Sequence, residues 1–305
     1  MKIFAAPIQG YTTAPWRHFH AELFGGVDTY FSPFLRVEKN AVRRHDIKAI
    51  NSDFNWNHHL IPQIIFRDME EFNILVDAVA ECGYNEVNLN MGCPFPPQVK
   101  HGRGAAVVAD VALLERLRDE MLRRTGINFS VKMRLGVDDS RQWLAAVDIL
   151  NAMPLAHVTL HPRVARQQYG GDIYLDEFDQ FLALSKHPVV FNGDIAATGD
   201  IDALIARFPT LYGVMIGRGL LARPSLAHEY LSGERWSDPH ILEKIMSLHC
   251  AIYDHYREVA CGDAQCLSLV KPFWDYMEPL IGHKPAKLIR KATTIQKYND
   301  AVSAL

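Results

Sequence analysis

The chain has 305 residues, 49% of them apolar, enough for one large domain, or a domain with an appendage, around a sizeable core. A formal net charge of -3 and a pI near 6.5 exclude a uniformly basic nucleic-acid coat, while leaving room for a local basic face. Five cysteines, odd in number and without metal-type pairs, argue against a disulfide framework or a zinc site, and with no apolar run of bilayer length a cytoplasmic, membrane-free protein is expected.

The opening stretch MKIFAAPIQG is too short and too polar for a signal peptide, and its apolar part reads as a first strand over 3–8. Seven further short apolar or β-branched runs follow: 27–32, 60–66, 86–91, 129–135, 157–162, 188–193 and 213–219. Helical patterns separate most of them. Over 69–83, Phe72, Leu75, Val76 and Val79 share one face and Gly83 closes the helix. Over 110–126, Asp110 is the expected N-cap and the helix again stops at a glycine. Eight strands alternating with helices predict an α/β fold of parallel βα units, a closed (β/α)8 TIM barrel over 1–235. The open doubly wound sheet is the alternative, but no glycine fingerprint follows the first strand, and Gly102-Arg103-Gly104 lacks a third glycine. After residue 235 the strand signals stop, and 236–305 reads as a small C-terminal domain of three or four α-helices.

A barrel carries its reactive groups at the C-terminal ends of its strands. There the sequence places Pro7 and Gln9, Gln63, Asn88, Asn90 and Cys93, Lys132 and Arg134, His161 and Arg163, Asn192 and Asp194, and Gly217 with Arg218. The set suits one kind of ligand. The NGDI and IGRG turns offer backbone N–H groups to a phosphate, with Arg218 as a bidentate cation. Gln63 and Asn90 can bond the edge of a planar heterocycle, and Lys132 supplies a positive charge beside a ring that becomes anionic on reduction. Flavin mononucleotide fits that description. Taken singly, Gln63 is equally a satisfied core amide, and NGD an ordinary turn.

Cys93 follows strand four between Gly92 and Pro94, in a loop with Lys100, His101 and Arg103. Most free cysteines are small buried apolar residues, as Cys82, Cys250, Cys261 and Cys266 are expected to be. No cysteine-protease signature accompanies Cys93, so a general acid is the reading preferred over a nucleophile.

In order, APIQG, the glutamine of strand three, NLNMGCP with its GRGAA loop, SVKMRLG, H-x-R in strand six, NGDI and MIGRG resemble the tRNA-dihydrouridine synthases, over residues 5 to 220. The resemblance implies an FMN barrel that reduces the C5=C6 bond of particular tRNA uridines with NADPH, with flavin N5 giving hydride to C6 and Cys93 a proton to C5. It assigns Pro7, Ile8, Gln9, Gln63, Lys132, His161, Asn192, Gly193, Asp194, Gly217 and Arg218 to FMN, and Asn90 to flavin or uracil. It further implies a helical C-terminal domain that grips tRNA. Two departures stand out: Pro162 where many members have glycine, expected to alter that turn, and a proline-rich loop after Cys93, expected to be stiff.

A uracil in tRNA must be flipped into the mouth, and Arg134, Arg163, Arg166 and Tyr169 lie where the base and its phosphates would dock. Between 271 and 297 six lysines or arginines stand against two acids, with Lys284, Lys287 and Arg290 or Lys291 along one helical face and Lys271 before them. The resemblance makes the D-arm of tRNA the expected partner, which this basic face suits, with no protein partner. With no dinucleotide fingerprint, NADPH is expected to enter the same mouth as the base. The competing readings are a dihydroorotate or dihydropyrimidine dehydrogenase acting on free pyrimidines, and a tRNA-binding barrel without redox chemistry.

Overall fold

The computed structural model describes residues 1–305. Eight parallel strands form the barrel: β1 (Lys2–Ala5), β2 (Thr29–Phe31), β3 (Leu60–Ile61 continuing as Gln63–Ile64), β4 (Glu86–Met91), β5 (Asn128–Gly136), β6 (Leu155–Val164), β7 (Val189–Asn192) and β8 (Gly213–Ile216). Pairing runs from each strand to the next and returns from β8 to β1. β3 is broken at Pro62, which has no N–H to give, so Leu60–Ile61 pairs with β2 and Gln63–Ile64 with β4. The Pro62 carbonyl still accepts the Asn88 N–H at 2.9 Å, so the wall stays closed.

The period-two alternation of β4 to β6 sorts side chains between two surfaces. Val87, Leu89, Val131, Met133, Val158 and Leu160 join the large core under the helices. Asn88, Asn90, Ser130, Lys132, Thr159 and His161 take the alternate positions, toward the barrel interior. Phe4, Ala6, Phe31, Ile61, Val190 and Met215 form a second, separate apolar cluster contributed by β1, β2, β3, β7 and β8 and their ends. The barrel thus has an apolar side and a polar side, and the polar one faces the motif residues.

Both expected helices form. Asp68 caps Met69–Glu81, whose Phe72, Leu75, Val76 and Val79 are fully buried, and Gly83 follows at φ +86. Asp110 caps Val111–Arg123 through the Leu113 N–H at 2.9 Å; this helix ends before Gly126, at Arg123. Three other expectations are corrected at their edges. β1 stops at Ala5, where the chain turns through Ile8 to reach the helix Ala14–Leu23. β8 stops at Ile216, and Arg218 opens the short helix Arg218–Ala222. β6 runs through Pro162 to Val164, so Pro162 makes no turn there. Unanticipated from sequence is a hairpin, Val37–Glu38 with Ala41–Val42, turned by Lys39 and Asn40 at φ 52 and φ 59.

The tail contains the helices Asp238–Val259, Asp263–Val270, Glu278–Ile281, His283–Lys291 and Ile295–Val302. No helix is long and apolar enough to cross a membrane. Ile241, Ile245, Leu248 and Ile252 of the first tail helix bury into the same core as the barrel helices, packing toward Ala14–Leu23. Tyr298 accepts from Trp274 Nε1 at 2.9 Å and bonds His249 at 2.7 Å, which locks the later helices together. Tyr11 donates to Asp275 at 2.9 Å and Tyr256 to Thr13 at 3.2 Å, tying the tail to the loop after β1.

Candidate active site

The C-terminal ends of the strands open into a cavity of about 780 Å³. The structure brings to it Pro7, Ile8 and Gln9 after β1, Gln63 of β3, Asn90 of β4 and Cys93 just beyond it, Lys132 and Arg134 of β5, and His161 of β6. Tyr169, Asn192, Gly193, Asp194, Gly217 and Arg218 complete the set.

A chain of amides orders one wall. Asn88 donates to Ser130 Oγ at 2.8 Å and accepts from Gln63 Nε2 at 2.8 Å; Asn90 donates to Gln63 Oε1 at 2.7 Å. Asn90 Oδ1 in turn accepts the N–H groups of Gly92 at 3.1 Å and Cys93 at 2.8 Å. The sequence reading that Asn88 reaches the ligand is corrected: it is fully buried and spends its amide on orienting Gln63. Gln63 and Asn90 line the cavity, and each has one amide N–H without a partner in the chain.

The loop after Cys93 is folded back on it. Ala105 N–H bonds the Cys93 carbonyl at 3.2 Å, and a Cβ on Gly104, at φ +61, would sit 2.7 Å from that oxygen and 2.8 Å from Cys93 Cβ. Only glycine permits this approach. Arg103 pairs bidentately with the buried Glu71, anchoring the loop to the helix Met69–Glu81. Burial raises the Cys93 thiol above its ordinary range, against smaller opposing effects from a Phe95 backbone bond, Arg134 and Lys132. The thiol is therefore protonated at neutral pH.

Lys132 makes no hydrogen bond or ion pair within the chain. Burial, reinforced by Arg134, pushes its pKa down to about 7. Such a cation gains from an anionic ligand. Arg134 is 2% exposed and donates to the carbonyls of Val164 and Gln168. His161 is held neutral by burial and by the cations Arg134, Lys132, Arg163 and Arg218. Asp194, at φ 45, accepts from Arg163 and, at 2.9 Å, from Arg218, and its pKa falls first through the Arg163 bond. The Arg134 and Arg218 guanidiniums lie 5.6 and 5.3 Å from the centre of the Tyr169 ring.

Other expected substrate contacts lie elsewhere. Arg163 is 2% exposed, sits outside the cavity lining, and spends its fork on Asp194 and the Gly171 carbonyl, so it shapes the phosphate-type turn. Arg166 is exposed away from the cavity. Lys271 donates to the Ala292 carbonyl at 3.0 Å, and Arg290 pairs with Glu278 at 2.8 Å, so both are engaged within the tail. Lys284, Lys287 and Lys291 are exposed and unpaired.

Sequence reasoning missed Arg36 and Arg43, which reach the cavity from the base of the unanticipated hairpin, and Phe95 and Gln98. Gln98 is 6% exposed, and its Oε1 has no partner. The P-F-P-P run was a visible signal for Phe95: prolines on both sides fix the backbone of an aromatic that stays 58% exposed beside Cys93.

The donor set fits an anionic planar ring with a phosphate: an unpartnered, half-buried lysine, two amide N–H groups without a partner in the chain, and two glycine turns converging where a Cβ on Gly219 would meet the Ile195 carbonyl at 2.1 Å. With the closed barrel and a protonated thiol, this defines a flavin-dependent barrel oxidoreductase.

A family model described as dihydrouridine synthase matches residues 4–294, and the chain belongs to that family. Its members are FMN-dependent flavoenzymes that use NAD(P)H. A "Probable tRNA-dihydrouridine synthase 2" of Bacillus subtilis is 26% identical over 315 residues, 98% of this chain and 91% of that protein. A "Probable tRNA-dihydrouridine synthase" of Mycobacterium tuberculosis is 37% identical over 153 residues, 48% of this chain. The match spans only 38% of that mycobacterial relative. Among solved structures, the old yellow enzyme from Trypanosoma cruzi shares the fold with a TM-score of 0.56 at 9% identity, covering 77% of this chain and 89% of that one. Morphinone reductase does so at 0.53 and 9%, covering 77% and 87%.

Proposed function

We propose that the chain reduces the C5=C6 bond of specific uridines in the tRNA D-arm, with FMN as cofactor and NADPH as electron donor. The observation that carries the reading is the Cys93 thiol and an unpartnered Lys132 lining one cavity at the C-terminal ends of the strands. Pro7 to Gln9, Gln63, Lys132 and His161 would hold the ring, and the turns at Asn192–Asp194 and Gly217–Arg218 the phosphate. Held by these residues, FMN would supply the hydride for C6 of the uracil. Cys93 holds the proton at Sγ and gives it to C5, and the Asn90 bonds to its loop keep the thiol in place. Arg134 and Tyr169 flank the flipped base, while 236–305, through Lys284, Lys287 and Lys291, contacts the tRNA backbone.

The test is the visible spectrum of the purified protein, then anaerobic bleaching with NADPH and recovery on adding unmodified tRNA. Recovery with tRNA but not with orotate or free uracil is the expected result. Recovery with a free pyrimidine would move the reading to a dihydroorotate or dihydropyrimidine dehydrogenase, and a colourless protein that cannot be reconstituted would leave a non-catalytic tRNA-binding barrel.

A further inference from the structure

Five cations line the cavity, Arg36, Arg43, Lys132, Arg134 and Arg218, against one carboxylate, Asp194, although the chain as a whole carries a net charge of -3. Lys132, Arg134 and Arg218 belong to the side of the mouth built by β5, β6 and β8. Arg36 and Arg43 do not. They come from the hairpin after β2, and around the closed barrel β2 and β6 are four strands apart in either direction. The pair therefore faces the β6 loop, with its Tyr169, from the far side of the mouth.

Its construction is unfavourable on its own. Pairing of Val37 with Val42 and of Glu38 with Ala41 puts Arg36 opposite Arg43, and the Arg43 N–H bonds the Arg36 carbonyl at 3.2 Å. Like charges directly across a ladder repel. Arg43 is compensated in part, by Glu38 at 3.4 Å and the buried Asp46 at 3.8 Å. The Arg36 side chain makes no hydrogen bond or ion pair. Asp46 accepts only the backbone N–H of Arg36, at 3.3 Å, which pins the hairpin base and leaves the guanidinium free. The two-residue turn at Lys39 and Asn40, both left-handed, holds the hairpin in one register. Two forks on a rigid base at the cavity wall, Arg36 with no acidic partner and Arg43 held only by longer ion pairs, make a site for an oxyanion.

We propose that Arg36 and Arg43 bind the phosphodiester next to the reacting nucleotide, on the side of the mouth opposite Tyr169. The inference rests on the tRNA reading above. A nucleotide flipped out of a chain carries a phosphodiester on each side, so the strand must enter across one rim and leave across the other. Cations on opposed rims match that path. A free pyrimidine has no such group to place there.

The test uses flavin-loaded protein carrying Arg36→Gln, Arg43→Gln and both, with Arg36→Lys as the conservative variant. Reduction by NADPH and by NADH is followed separately from reoxidation by unmodified tRNA across a salt series. The double variant is expected to need about tenfold more tRNA for half-maximal reoxidation, and to lower the slope of log affinity against log salt by about 1 to 2. Arg36→Lys is expected to recover most of the loss, and bound flavin in every variant reports that the barrel is folded. Unchanged tRNA dependence and salt slope overturn the proposal. So does slower reduction by NADPH with NADH unaffected, which assigns the pair to the donor's 2′-phosphate. If wild-type reduced flavin is not reoxidised by tRNA at all, the functional reading fails first, and that outcome is visible without any variant.

Discussion

The barrel mouth and the C-terminal helices carry their polar residues on different terms. In the mouth, Gln63, Asn88, Asn90 and Arg134 are at most 7% exposed, and each of the four is bonded to a named neighbour. On the helix His283–Lys291 the lysines stand in solvent and answer to nothing but the helical period. A buried polar group is costly unless it is satisfied, so its presence is informative, whereas an exposed lysine costs almost nothing and says little. Evidence for chemistry is therefore dense in the first region and thin in the second.

The largest effect expected from breaking this contrast is at Cys93. Cys93→Ala should lower single-turnover reduction of tRNA by about 10² to 10⁴, the range for a positioned proton donor, while flavin binding and bleaching by NADPH persist. Equal turnover by the two proteins would remove Cys93 from the reaction. Next is Gly104→Ala, which keeps the thiol but drives a methyl group into the Cys93 backbone at a left-handed φ. A loss of stability of about 1–3 kcal/mol is expected in urea unfolding, with turnover falling although the thiol count is unchanged.

Lys132 sharpens the comparison through pH. Its proton leaves near 7 in the folded protein but near 10.5 in the unfolded chain, so the unfolded state binds more protons between those values. Stability of the flavin-free protein should then rise with pH across that window, and Lys132→Met should flatten the rise. Affinity for an anionic ligand should move the other way, weakening as pH climbs through 7. Urea midpoints and flavin titrations at pH 6.5 to 9 read both.

The smallest effects belong to the tail. Replacing Lys284, Lys287 and Lys291 with alanine should weaken tRNA binding by a few fold and lower the salt slope by up to about 3, leaving the flavin spectrum alone. Lys271→Ala, by contrast, should cost about 1 kcal/mol in stability and leave the salt slope intact, because that lysine is committed to the Ala292 carbonyl.

Much of the barrel was legible because a buried strand leaves a period-two record. The run EVNLNM assigned Asn90 to the interior, and NGDI and IGRG lay at the two turns that converge. What the record does not hold is which inward group meets ligand and which meets its neighbour: Asn88 and Asn90 have the same phase, and only the position of Gln63 separates them. The hairpin with Arg36 and Arg43 was missed because its strands are two residues long, too short for any period, and its turn uses Lys39-Asn40 in place of a glycine. In the tail, helical spacing grouped the cations correctly but could not reveal that Lys271 and Arg290 were already engaged.

The burial that keeps the Cys93 thiol protonated has a second outcome, in chemical durability. Alkylating agents and peroxides react with thiolates, and a thiol whose proton is held tightly is a slow target. Cys250 and Cys261, expected from sequence to be buried, instead stand exposed on the tail; of the four cysteines given that reading, Cys266 is buried and Cys82 half-buried. The exposed pair is open to such reagents, whereas Cys93, half-buried and with its proton held by burial, is the slower target for conversion to a sulfenic acid.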